Sequence, residues 1–182
     1  MVADASDASV LLVDDEEALV SLHESYLSDR YDVTTATGGH EALETADDSL
    51  DVVLLDRRMP EMCGEEVLRG LRDSGIDCRV AMLTAVEPTV DIVDMPFDDY
   101  RVKPVEQPEL IGLVEVLIER ANYNDASQRY FALASKKATL EVAGEESTEE
   151  YERILSELET AREAVDASLD SVGAKAAFSD LP

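Results

Sequence analysis

A chain of 182 residues, 45% of them apolar, has the length for one full domain plus a remainder and can bury a sizeable core. Its 42 acidic and 15 basic side chains leave a formal charge of −27. That argues against a sequence-independent grip on nucleic acid, which rests on Lys and Arg neutralising phosphates. Apolar runs stop at four or five residues, against the ~20 of a transmembrane helix. The start Met1-Val2-Ala3-Asp4 has no signal-peptide pattern, so a cytoplasmic protein without membrane contact is expected.

Residues 1–8 read as a frayed end. From Val10 to Ala121, short apolar runs alternate with helical periodicity. The runs are Val10–Val13, Tyr31–Ala36, Val52–Leu55, Val80–Leu83 and Tyr100–Val102. Between them Leu19, Leu22 and Tyr26 share one helical face, as do Leu110, Leu113, Val114, Leu117, Ile118 and Ala121. Five strands alternating with five helices predict an α/β domain over 9–121, a doubly wound five-stranded parallel sheet covered on both faces.

After Ala121 the strand pattern stops, and helices are predicted near 125–141 and 148–172, forming an α-helical hairpin over 122–173 before an end at 174–182. Ser147 and Glu150 have the spacing of a capping box. Tyr151, Leu155, Leu158, Arg162, Val165, Leu169 and Val172 step as a heptad seam interrupted by one Arg. Tyr123, Ala126, Tyr130, Leu133 and Leu140 step similarly, with Lys137 interrupting; Lys136-Lys137 reads as a solvated pair.

The excess acid runs the whole length, with 29 acids and nine bases before residue 122 and 13 and six after it. With only four Lys among the bases, that composition is one of proteins that work in concentrated salt, where self-repulsion is screened. Cys63 and Cys78 form neither a disulfide framework nor a zinc pattern. His23 and His40 read as solvent-facing, and Gly38-Gly39 as a turn opening the second helix.

Four strands end in a polar residue: Val13 before Asp14-Asp15, Leu55 before Asp56, Leu83 before Thr84, and Val102 before Lys103-Pro104. Ligands of open parallel sheets bind beyond the carboxyl ends of the strands, so three carboxylates, a hydroxyl and an ammonium should meet at one edge. Clustered carboxylates call for a hard divalent cation such as Mg²⁺, which leaves room for phosphate oxygens. The set suits phosphoryl transfer, with Mg²⁺ and Lys103 offsetting charge, Thr84 donating a hydrogen bond and a carboxylate attacking in line. Turn chemistry alone also places Asp or Thr at strand ends, but four such residues at the correct ends favour function.

Leu11-Leu12-Val13-Asp14-Asp15-Glu16, Leu55 through Gly64, Leu83-Thr84-Ala85 and Tyr100-Arg101-Val102-Lys103-Pro104 together resemble the receiver domain of two-component response regulators. The resemblance implies a flavodoxin-like fold, with Asp56 as phosphoacceptor for a sensor histidine kinase. It further implies Mg²⁺ held by Asp15, Asp56 and the backbone carbonyl of Arg58, with Asp14 acting mainly through water. Thr84 and Tyr100 match the switch pair, Lys103 the residue that bridges to the phosphoryl group, and Lys103-Pro104 a cis peptide. Two features depart from the common pattern. The stretch from Thr84 to Lys103 is about one helical turn short, with Pro88 and Pro96 bracketing the expected fourth helix. Arg58, with Val86, places a long cation beside the route of attacking water, which leaves phosphoryl lifetime open.

Tyr123 through Leu140, including Arg129-Tyr130-Phe131-Ala132-Leu133, resembles the HalX domain that follows receivers in haloarchaea. That resemblance implies a role in transcriptional control; with six bases against thirteen acids after residue 121 and no basic recognition face, contact with a downstream protein is expected more than with DNA. The hairpin could pack on itself, on the receiver, or across a homodimer. Two other readings compete. A Mg²⁺-dependent phosphohydrolase with an aspartate nucleophile, similar to haloacid-dehalogenase-like enzymes, wants a carboxylate where Arg58 stands. A coiled-coil adaptor with an unused receiver would not need the full set of Asp14, Asp15, Asp56, Thr84 and Lys103. The expectation is a phosphoacceptor and not an enzyme with turnover on an external substrate.

Overall fold

The structure, a computed structural model, describes residues 8–121 and 125–172, with side chains as far as 167. Tyr123 and the side chains of Leu169 and Val172 lie outside the described residues, as do 1–7 and 173–182. Strands β1 (Ser9–Val13), β2 (Asp32–Ala36), β3 (Val52–Leu55), β4 (Arg79–Thr84) and β5 (Asp99–Val102) form one parallel sheet in the order β2-β1-β3-β4-β5. Helices α1 (Glu17–Leu27), α2 (Gly39–Thr45), α3 (Gly64–Asp73) and α4 (Gln107–Ala121) cover it. This is the flavodoxin-like order, whose direction of winding reverses between β1 and β3.

Successive strand residues face opposite sides, so continuous apolar runs mean that both sides are covered. Val10, Leu12, Leu54 and Leu83 pack against Leu27 of α1 and Leu110, Val114 and Leu117 of α4. Leu11, Val13, Val53, Leu55 and Met82 pack on the other side against Val67, Leu68 and Leu71 of α3. Ala8, assigned to the frayed end on sequence, is buried, and its carbonyl accepts the Asp32 N–H at 3.0 Å.

The expected fourth receiver helix does not form. Among the described residues the stretch holds one 3-10 turn, Val90–Ile92. Pro88 and Pro96 leave too few residues between them, and Pro96 disfavours helical geometry at Met95. The predicted face of α1 is also off by one residue. Val20, His23 and Leu27 point inward, and Leu22 is exposed. Leu19 and Tyr26 flank that stripe half-buried, Tyr26 against the core.

Helices α5 (Asp125–Ala143) and α6 (Glu149–Val172) form the hairpin. Gly144 closes α5 at φ +76°, a conformation that only glycine adopts cheaply. The Gly144 N–H donates to the Glu141 carbonyl and the Glu145 N–H to that of Leu140, a Schellman ending. Thr148, not Ser147, opens α6, its hydroxyl accepting the Tyr151 N–H at 3.2 Å. The two hydroxyls are adjacent, and sequence alone does not say which one leaves the turn. The buried seam of α6 runs through Tyr151, Ile154 and Ala161, with Leu158 half-buried, whereas Leu155 is 40% exposed and Arg162 faces solvent. A 3-4 step fits either register, and packing on α5 selects the one that buries Ile154 and Ala161.

The hairpin also packs on the receiver. Leu133, Leu140, Tyr151 and Ile154 share one core layer with Ile92, Val93, Met95, Phe97 and Tyr100. They cover the side of β4 and β5 that the missing helix leaves open. Lys136 is buried there instead of solvated, with Nζ donating to the Val93 carbonyl at 2.9 Å and lying 5.2 Å from the Phe97 ring centre. Burial pushes its ammonium pKa down.

Candidate functional site

Sheet register decides which side chains meet. Val13 pairs with Leu55, so Asp14 and Asp56 leave neighbouring strands side by side at the β1/β3 switch point. The Asp56 N–H donates to the Val13 carbonyl at 2.8 Å. Thr84 pairs with Val102, and the Lys103 N–H donates to the Thr84 carbonyl at 2.8 Å. Asp14, Asp15, Asp56, Thr84 and Lys103 therefore come to one edge.

Carboxylate oxygens of Asp14, Asp15 and Asp56 lie within 4.8 Å of one another. Asp14 and Asp56 are buried, 5% and 6% exposed, and Asp15 is open to solvent. Lys103 Nζ contacts the Asp14 carboxylate and sits 3.4 Å from that of Asp56. Oxygens bound to one Mg²⁺ lie up to ~4.2 Å apart, so a small inward movement of this all-oxygen set fits the ion. A cleft of about 710 Å³ opens over Asp56, with Asp15, Arg58, Thr84, Ala85 and Lys103 on its walls. Arg58 is exposed at its rim.

Val86 connects the two remaining predicted residues. Its N–H donates to the Thr84 hydroxyl at 3.3 Å, and its carbonyl accepts the Tyr100 hydroxyl at 2.7 Å. Tyr100 is buried beside Phe97, and that burial raises its phenol pKa. The Lys103-Pro104 peptide is cis. Gly64 begins α3 directly beneath the acidic residue; a Cβ there would lie 2.2 Å from the Asp56 carbonyl oxygen, so no larger residue fits without displacing that loop. Cys63 precedes it as the cap of α3, its N–H bonded to Glu66 at 2.9 Å. Both cysteines are free thiols, and burial raises the pKa of Cys78.

Two residues at the site escaped the sequence reading. His23 is buried, and burial followed by the nearby Lys103 charge lowers its imidazole pKa. His40 is exposed, as expected. Arg57, next to Asp56, is only 9% exposed. Its Nε and Nη2 donate to one Glu65 oxygen at 2.8 and 2.7 Å, and Nη2 also contacts the Asp91 carboxylate. The only advance signal was an Arg with acids near it, which is ordinary in so acidic a chain.

This geometry is that of a response regulator receiver, and the chain belongs to that family. Residues 10–115 match the response regulator receiver domain, and residues 119–182 match the HalX domain. A Haloferax volcanii protein provisionally named a transcriptional regulator is 49% identical over 162 residues, 88% of this chain and 28% of that protein. The transcriptional regulatory protein CpxR of Escherichia coli K12 is 35% identical over 123 residues, 65% of this chain and 53% of the relative. The chain thus spans about half or less of these relatives. The response regulator TrrA of Thermotoga maritima, solved with Mg²⁺ and beryllofluoride, is 32% identical with a TM-score of 0.54, over 60% of this chain and 98% of that one. These relatives are regulatory proteins by name. Among the described residues no helix is long and apolar enough to cross a membrane.

Proposed function

We propose that Asp56 accepts a phosphoryl group from the phosphohistidine of a sensor histidine kinase, and that the receiver (9–121) signals through the HalX-type hairpin (122–173) to transcriptional control. The observation that carries this reading is the cluster of Asp14, Asp15 and Asp56 oxygens within 4.8 Å, with Lys103 Nζ 3.4 Å from Asp56. An Asp56 oxygen attacks phosphorus in line, the P–N bond breaks, and the imidazole nitrogen leaves with its electron pair. Lys103 compensates the added charge, and Thr84 donates its hydroxyl proton to a phosphoryl oxygen. Asp14, Asp15, Asp56 and the Arg58 carbonyl would hold Mg²⁺, which when bound supplies countercharge for the equatorial oxygens. Tyr100, tied to Val86, follows Thr84 as the loop moves.

The chain is thus a phosphoacceptor that assists its own modification, not an enzyme with turnover on an external substrate. The charge of −27 and the Haloferax relative support work in the salt-rich cytoplasm of a halophile. That charge also favours a protein partner over DNA for the hairpin. The test is Mg²⁺-dependent transfer from a phosphohistidine donor, present in the wild type and lost in Asp56→Asn; transfer surviving that change would overturn the assignment. Arg58 stands exposed at the cleft rim, beside the route by which water would reach a phosphoryl group on Asp56. Arg58→Asn is expected to speed phosphoryl loss at least severalfold, read as the decay of phosphoprotein; an unchanged half-life would remove this role.

A further inference from the structure

Arg57 has no part in the chemistry above, yet it is buried and bonded on two sides. Through Glu65 it holds the first turn of α3, and through Asp91 it holds the 3-10 turn that stands where a fourth helix would be. Asp91 gives its second oxygen to the Thr89 hydroxyl. Burial alone would raise the Asp91 pKa, but Arg57 and Thr89 outweigh it and hold the carboxyl below its usual range, so the pair is fully charged at neutral pH. The residues that follow the turn carry the hairpin: the Val93 carbonyl accepts Lys136 Nζ at 2.9 Å, and the Asp94 carboxylate accepts Arg153 at 2.9 Å. An unbroken set of contacts runs from the neighbour of Asp56 to both hairpin helices.

We infer that Arg57 is a positioning residue that couples the charge state of Asp56 to the seat of the hairpin, phosphorylation drawing its guanidinium away from Asp91 and loosening the turn on which α5 rests. Arg57 and Asp91 both line the cleft over Asp56. A phosphoryl group brings a charge of about −2 and three strong acceptor oxygens into that cleft. The new dianion competes with Asp91 for the guanidinium and repels the Asp91 carboxylate. The inference rests on the proposed phosphorylation of Asp56 and adds the route by which it reaches the output helices.

Two readouts on the full chain in molar KCl with Mg²⁺ test it, using beryllofluoride as the phosphoryl analogue. The first is amide hydrogen exchange across α5. Beryllofluoride is expected to raise exchange in the wild type by at least about fivefold, the low end of ordinary coupling. In Asp91→Asn exchange is expected to be high already and to rise no further. The Asp91 side chain is half exposed, so this variant keeps its fold. The second readout is analogue affinity in Lys136→Met. Loss of a cation should weaken binding of an anion, whereas coupling is reciprocal, so a loosened hairpin must tighten it. Binding tighter than wild type by about fivefold is expected. Wild-type exchange unmoved with the analogue bound, an Asp91→Asn variant that responds like wild type, or weaker binding in Lys136→Met would each overturn the inference. Absence of Mg²⁺-dependent analogue binding to the wild type, read by fluorine NMR, would instead strike down the assignment of the site, and the inference with it.

Discussion

Lys103→Met is expected to slow phosphoryl transfer to the chain by about a hundredfold or more, the usual cost of deleting one preorganised charge-stabilising group. Lys103 lies between the Asp14 and Asp56 carboxylates with its side chain only 10% exposed. The other cations on the cleft wall do not replace it. Before transfer Arg57 is engaged by Glu65 and Asp91 and becomes available only once the phosphoryl group is in place, and Arg58 sits exposed at the rim. Charge that builds on the phosphoryl oxygens would then lack its protein partner, while Asp56 itself remains in place. Intact-mass kinetics with a small phosphoryl donor at saturating Mg²⁺ would measure the effect. A rate within a factor of a few of wild type would show that Lys103 is only a structural counterion.

Leu140→Ala is expected to lower stability by about 2–5 kcal/mol, through lost transfer energy and the cavity left behind. Leu140 is fully buried in a core cluster that holds residues from both parts of the chain, Ile92 and Phe97 among them. The loss should therefore appear in one cooperative transition that includes the receiver, since the hairpin covers the face of β4 and β5 left bare by the missing helix. Val142→Ala, at a position 90% exposed, serves as the control and should change little. Denaturant unfolding in molar KCl, followed by Tyr fluorescence and circular dichroism, tests both. Hairpin melting in Leu140→Ala that leaves the receiver transition unmoved would mean that the two parts do not share a core.

The sheet was legible because its physics is periodic. A strand buried on both faces needs a run such as Val52–Leu55, and the polar residue that follows it has to emerge at the carboxyl edge. The site was legible for the same reason, since Asp14, Asp56 and Thr84 each follow such a run, and Lys103 follows the shorter, half-buried Tyr100-Arg101-Val102. The bracketing prolines also marked the fourth helix as doubtful, though not that a 3-10 turn would replace it. Less was readable where tertiary burial overrides local character. His23 and Lys136 carry polar groups, and nothing in their neighbours announces a buried imidazole or an ammonium placed on the Val93 carbonyl. The register of α6 depended on which of two overlapping stripes found a partner, and only packing against α5 chose Ile154 and Ala161 over Leu155 and Arg162. Arg57 could not be found from sequence, because its role depends on Glu65 and on Asp91, a residue 34 positions away.

The central claim is that Asp56 is the residue modified, with Mg²⁺ held by the acidic cluster. Its most direct test is the intact mass of the full chain after incubation with a small phosphoryl donor in molar KCl, with Mg²⁺ and with chelator, followed by peptide mapping. One added phosphoryl group that requires Mg²⁺, maps to the peptide carrying Asp56 and is absent from Asp56→Asn is the expected result. Modification that persists in chelator, or that appears equally in Asp56→Asn, would contradict the account.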